Sequence, residues 1–354
     1  MDEPKSGPSA RPAGRSRRRR RWLVLVPLAT LALVLYFIRL PYFVLSPGPA
    51  EDVEPLIHLT GPGTYPSHGR LLLTAIEFRS TNIYGLVRGW ADPTESVVPQ
   101  ADILGPGQSE AQEARVAISE MDTSKIDAAV VALSRFAGYP RRHRPGALVE
   151  EVFPNTPAEG ELFAGDLVTA VDGTPVHGPE DLGMRIRRAG PGTPLHLTVQ
   201  GRPGGVTHVT VAPAVIRVQG TDHVVIGVVL VRNFPFPLTI ESGEIGGPSA
   251  GLMWTLGLID LLTPGDLTRG RTIAGTGAID LRGRVYPIGG VEEKVVAAER
   301  AGARIFFAPV QDAPAARRVA HGITVVPVRT YLDALAYLLN RPPLPPRART
   351  NSLG

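Results

Sequence analysis

Cysteine is absent from the 354-residue sequence. That excludes disulfides, thiolate metal sites and cysteine nucleophiles, and is compatible with either side of a membrane. Lysine is nearly absent: Lys5, Lys125 and Lys294 are three of 37 basic residues, so arginine supplies the charge. The eight histidines are scattered and form no HExxH pair, no GxxxxGK[ST] loop marks a phosphate site, and no GDSGG-type motif accompanies a trypsin-like triad. Neither a metal nor an organic cofactor is expected. Excess positive charge is missing beyond the amino terminus. Residues 1 to 21 hold eight basic residues against Asp2 and Glu3, a net +6 that leaves −2 for the remainder of a chain of +4. A nucleic-acid partner is therefore not expected. No internal repeat is found.

What is present suits about two domains with extras. Apolar residues make up 43% and charged residues 20%, and 39 Gly with 35 Pro promise many turns. The uncharged run Trp22 to Ile38, bounded by Arg21 and Arg39, would span roughly 25 Å as a helix, and Arg39 could snorkel to extend it. A cleaved signal peptide and a buried core helix are the rival readings. The run exceeds a usual signal core, and prolines around the small residues of LSPGPA spoil a cleavage site. Arginines before the run place residues 1–21 in the cytoplasm, a single-pass anchor at 22–40 in membrane lipid, and everything later outside the cell.

Residues 41–125 read as linker and the first part of a larger domain. Within them Gly69 to Phe78 is a buried strand, and Glu110 to Glu120 and Lys125 to Phe136 are helices. Beyond Gly146, short Val- and Leu-rich strands alternate with Pro and Gly, including Asn155-Thr156-Pro157-Ala158, Gly165-Asp166 and Val171-Asp172-Gly173. This pattern resembles a bacterial PDZ domain over about 126–214. The resemblance implies binding of an extended peptide along a sheet edge, with Phe136, Ala137, Gly138 and Tyr139 as the carboxylate loop. That loop departs from the usual alternation of Gly and hydrophobic residues. The Pro-rich end, 341–354, is expected to be disordered.

GEIGGPSAGLMWTLGLIDLLT, from Gly243 to Thr263, passes from a Gly-rich turn into an apolar helix and sets Ser249 at the helix start. Unpaired amides and the positive end of the helix dipole there can hold a developing oxyanion. An isolated serine at such a place is ordinarily an N-cap. In GGVEEKVVAAERAG, helical spacing puts Val291, Lys294, Val295 and Ala298 on one stripe, with Glu292, Glu293, Glu299 and Arg300 mostly elsewhere. Lys294 then either snorkels along an apolar surface or loses charge by burial and serves as a base for Ser249.

From GGPSAG at Gly246, through TGAIDLRGRVYPIGGVEEKVVAA, to about Leu339, the sequence resembles the proteolytic domain of Lon-type serine proteases. Within these it is similar to the membrane-anchored, PDZ-containing branch of Gram-positive bacteria. The resemblance implies Ser249 as nucleophile, Lys294 as general base and Thr276 orienting the amine, with Gly247, Pro248 and Ala250 supporting the nucleophile. It also implies a protease fold that includes Gly69 to Phe78, and a ring of subunits, six by analogy. Two positions depart from ATP-dependent Lon: Gly246 replaces an Asp and Ala278 a Glu. The expectation is an α+β chain with an N-terminal transmembrane helix and a PDZ domain inserted in or preceding a Lon-type proteolytic domain at 215–340. It would cleave polypeptides outside the cytoplasm without ATP. The alternative is a membrane-tethered peptide-binding scaffold whose Lon-like domain is inactive or only self-processing.

Overall fold

The computed structural model describes residues 15–202, 205–218 and 221–340. The expected disordered end at 341–354 and most of the basic tail lie outside these residues. The described residues form two units, those of 15–46 with 78–105, and those of 47–77 with 106–340.

In the first unit, helix α1 (Arg15–Phe37) is followed by the opening residues of a strand, Arg39–Asp52, whose part from Pro47 onward belongs to the second unit. The anchor expected over 22–40 is therefore cut short, because Arg39 and Leu40 already belong to that strand. Among the described residues no helix is long and apolar enough to cross a membrane. Helix α2 (Ile83–Ala91) is capped by Asn82, whose side chain accepts the amides of Tyr84 and Gly85. Tyr84 Oη donates to the Ala32 carbonyl (2.8 Å) and Asn82 Nδ2 to that of Tyr36 (2.8 Å), tying α2 to α1.

In the second unit, one sheet carries a parallel run in the order Thr324–Val328, Ile305–Pro309, Thr272–Gly275 and Arg70–Leu73. Leu71 to Leu73 are buried on both faces, which explains an unbroken apolar run in place of alternation. Helix α3 (Glu110–Phe136) opens with a capping box between Ser109 and Gln112. It is a single helix where the sequence suggested two. Met121 and Ser124, in the supposed break, are buried, and Met121 Sδ accepts from Trp254 Nε1 at 3.4 Å.

The second core belongs to an antiparallel sheet in the order Val228–Asn233, Arg144–Val152, Leu167–Val171, Leu195–Arg202 and Gly205–Val211. Helix α4 (Pro179–Ala189) closes it with Leu182 and Ile186. Asp172 and Gly173 have φ of 48° and 71° and join Val171 to Thr174. Positive φ at both positions of a two-residue loop is what Asp-Gly supplies to a hairpin. Two boundaries differ from the expected 126–214. Residues 126–133 of α3 are buried in the first core, and Val228–Asn233 pairs with Arg144–Val152. The chain thus builds this module between α3 and Phe234, both of which belong to the first core, with Leu148 of the module also packed there.

Helix α5 (Gly251–Leu262) is buried along nearly its whole length, hence apolar on every face. Helices α6 (Val291–Arg300) and α7 (Ala313–Val319) alternate with the parallel strands, and α8 (Tyr331–Leu339) ends the described chain. The class is thus mixed α and β, with a helix-laced parallel sheet beside an antiparallel one.

Candidate active site

Ser249 lies in a single turn of 3-10 helix, Pro248–Ala250, that leads directly into α5. Gly247 enters this turn with φ of 85°, a conformation that glycine adopts without strain. The N-cap of α5 is Ala250 and that of the short turn is Gly247, so Ser249 occupies neither capping position. Helix α3 fastens the loop from one side. Gly247 N donates to the Ala117 carbonyl (2.6 Å), and Ser124 Oγ donates to that of Pro248 (2.9 Å). From the other side Gly277 N donates to the Ser249 carbonyl (2.7 Å) and Leu252 N to that of Gly277 (3.0 Å).

Lys294 projects from the first turn of α6 and is only 3% exposed. Its Nζ donates to Ser249 Oγ at 2.6 Å and to Thr276 Oγ1 at 3.3 Å. Thr276 Oγ1 in turn donates to the Ser249 carbonyl at 3.1 Å. Ser249, Thr276 and Lys294 come from three separate stretches of sequence and meet at one point, held by the 3-10 turn, the end of a parallel strand and a helix start. Burial pushes the Lys294 ammonium down to about 8, with Asp312 and Glu293 acting in the opposite direction. An amine near 8 is still mostly charged at physiological pH, but its neutral fraction far exceeds that of an ordinary lysine, and that fraction can accept a hydroxyl proton.

Two residues of this environment escape the sequence reading. Glu293, expected off the buried stripe, is 4% exposed, and its negative charge offsets part of the cost of burying Lys294. Asp312 follows the strand Ile305–Pro309, and its Oδ2 accepts from Ile288 N (2.9 Å). Only the fold brings it near Lys294, and no local signal marks it. Burial raises the Asp312 carboxyl, while the Ile288 amide and Lys294 lower it.

Gly246, where an aspartate was expected by resemblance, has a steric reason. A Cβ there would stand 2.8 Å from Ala117 Cβ and 3.1 Å from the Ala117 carbonyl carbon. No side chain larger than hydrogen fits while α3 holds this position.

Phe136 to Tyr139 follow from α3 and meet the edge of the antiparallel sheet through the Tyr139 side chain. Phe136 ends α3. Tyr139 is buried, its hydroxyl donating to the Arg232 carbonyl (2.9 Å) and its ring 6.0 Å from that of Phe234. The edge strand on the α4 side is Val228–Asn233, joined to α4 by an Arg232–Glu180 ion pair of 2.5 Å. It is preceded by Ile226 and Gly227, the latter with φ of 86°. The alternation Ile226-Gly227-Val228-Val229 was the available signal for the start of this edge.

Residues 239–341 match the Lon protease (S16) C-terminal proteolytic domain, and residues 148–201 match the PDZ domain. A Lon protease from Chloroflexus aggregans is 39% identical over 109 residues, covering 30% of this chain and 13% of that protein. One from Desulfosudis oleivorans is 34% identical over 165 residues (44% and 19%), and one from Geobacter metallireducens 30% identical over 199 residues (54% and 24%). The chain spans less than a quarter of the length of each of these relatives. It carries a Lon-type serine-protease proteolytic domain together with a PDZ domain.

Proposed function

We propose that the chain is a membrane-anchored serine endopeptidase that works through a Ser249–Lys294 dyad without ATP. The observation that carries this reading is the 2.6 Å contact between Ser249 Oγ and an amine that is 3% exposed. Ser249 Oγ attacks the carbonyl carbon of the scissile amide while neutral Lys294 takes the hydroxyl proton. The resulting oxyanion is held by the amides of Ser249 and Ala250 at the helix entry, since that of Gly247 is already bound to Ala117. Collapse breaks the C–N bond as Lys294 passes its proton to the leaving amine. Water, deprotonated by the same amine, then releases the acyl group and restores the serine. Independence from ATP rests on the absence of a GxxxxGK[ST] loop from this sequence.

Anchorage rests on α1. From Leu25 to Phe37 most of its apolar side chains are exposed, Leu28 and Leu33 at 59% and Phe37 at 73%, and such a surface suits lipid or a protein partner. The arginines before it would stay in the cytoplasm and the proteolytic domain would face outward. A serine-reactive electrophile, made in membrane-permeant and impermeant forms, tests both statements. Both forms should label wild-type protein in intact cells and neither should label Ser249→Ala. Labelling by the impermeant form only after lysis would reverse the orientation, and absence of labelling at Ser249 by either form would remove the peptidase reading.

The PDZ module, redrawn here as residues 144–233, would deliver polypeptide by adding it to the edge strand Val228–Asn233. Arg144 and Asn233 are paired across the sheet, so the module can be excised and closed with a short linker. Excision should reduce cleavage of a folded substrate roughly tenfold more than cleavage of a short peptide, through lost effective concentration. Equal losses on both would assign the module a structural role only.

A further inference from the structure

Beside the nucleophile lies a cavity of about 500 Å³ between α3, the proteolytic loop and the PDZ module. Pro248, immediately before Ser249, and Ser124, which holds the Pro248 carbonyl, form part of its wall. Four carboxyl groups line it, those of Glu120, Asp127, Glu151 and Glu159, against the single guanidinium of Arg115. Asp127 is 8% exposed, and its Oδ1 has no hydrogen-bond donor among the described residues. Its neighbour Glu150 is 6% exposed. Asp127 and Glu150 share a hydrogen bond, which leaves Asp127 Oδ1 as a buried acceptor that a cationic donor would satisfy. Burial, reinforced by Glu150, pushes the Asp127 carboxyl up to about 8, so the pair holds a proton at neutral pH that an entering cation can displace.

We infer that this cavity receives an arginine or lysine side chain of the polypeptide substrate, with Asp127 as the specificity-determining residue. The inference rests on the proteolytic reading of Ser249 and names its substrate class. No group of three acidic or imidazole side chains among the described residues could hold a metal ion, which favours an organic cation with one contact point. Ile279 and Phe163 add apolar wall, suited to the methylene stem of such a side chain. Because the cavity adjoins Pro248, a cation seated there belongs to the chain whose scissile bond lies over Ser249.

The test uses the full chain and internally quenched peptides of one sequence. Arginine, or its uncharged isostere citrulline, stands in turn at each position from four before to four after the scissile bond. At one position arginine should raise kcat/KM at least about tenfold over citrulline, and Asp127→Asn should bring that ratio close to one. Glu150→Gln should lower it as well. Binding of the same peptides to Ser249→Ala, read by fluorescence anisotropy, reports the preference without turnover. Ser249-dependent turnover with equal rates for arginine and citrulline everywhere overturns this inference and leaves the peptidase reading standing. Absence of any Ser249-dependent turnover overturns the peptidase reading, and equal binding of both peptides then overturns the inference independently. A preference that survives both substitutions also overturns it.

Discussion

Ser249→Ala is expected to abolish peptide hydrolysis, with a loss on the order of 10⁶-fold in kcat if Ser249 behaves as the nucleophiles of well-studied serine proteases do. The fold should tolerate the change, because the loop is held by backbone groups. The carbonyls of Pro248 and Ser249 accept from Ser124, Gly277 and Thr276, and the Gly247 amide is bound to Ala117. None of these bonds uses Ser249 Oγ. The measurement is steady-state cleavage of a quenched peptide by purified wild-type and variant protein, with circular dichroism to establish that both are folded. Activity surviving at even a hundredth of the wild-type rate would mean that another group carries the chemistry.

Lys294 yields a second large effect, and it runs in opposite directions for activity and stability. Lys294→Arg keeps a cation but cannot release its proton at working pH, so it should be nearly as inactive as Ser249→Ala. Wild-type kcat/KM should rise with pH through about 8, where the amine becomes neutral. The folded-state value lies below the ordinary 10.5, so between about 8 and 10.5 the unfolded chain binds more protons than the folded one, and stability rises with pH across that window. Below it the penalty is complete, on the order of 3 kcal/mol. Lys294→Met fills similar volume without charge, and should therefore raise the melting temperature at pH 7 by several degrees and lose that advantage by pH 10.5. A variant that melts lower than wild type at both pH values would show that Glu293 and Asp312 hold the ammonium charged.

Legibility from sequence follows the range of the forces involved. The 3.6-residue stripe of α6 put Lys294 toward the core, and the Gly-rich entry to an apolar helix put Ser249 at its start, because both are decided within a few residues. The continuity of α3 was not legible. Asp122, Thr123 and Ser124 look like a helix break, yet Ser124 is spent on the Pro248 carbonyl and Thr123 Oγ1 donates to the Glu150 carbonyl (3.0 Å). Tertiary partners thus absorb the side chains that would otherwise compete with the helix backbone. The same helix concealed the start of the PDZ module, since Ile126 to Leu133 are apolar enough to belong to either core. Asp312 with Lys294, 18 positions apart, and Asp127 with Glu150, 23 apart, meet across separate elements, for which single-sequence periodicity carries no information.

The insertion of the PDZ module also fixes an order of assembly. Its strands lie within one continuous stretch from Arg144 to Asn233, so its core can close as soon as that stretch leaves the ribosome. The parallel sheet instead joins Arg70 to Thr272, 202 positions apart, and the loop-closure entropy for that pairing must be met before any contact rewards it. The paired portion of the strand Arg70–Asn82, residues 70–73, and helix α3 are synthesised early and await partners that come about 200 and 130 positions later. Ser249 is made 45 positions before Lys294, so a nascent chain lacks the contact between them until α6 has docked. Late pairing of this sheet leaves an apolar strand, Leu71 to Leu73, without its parallel neighbour until residues 272–275 have been made.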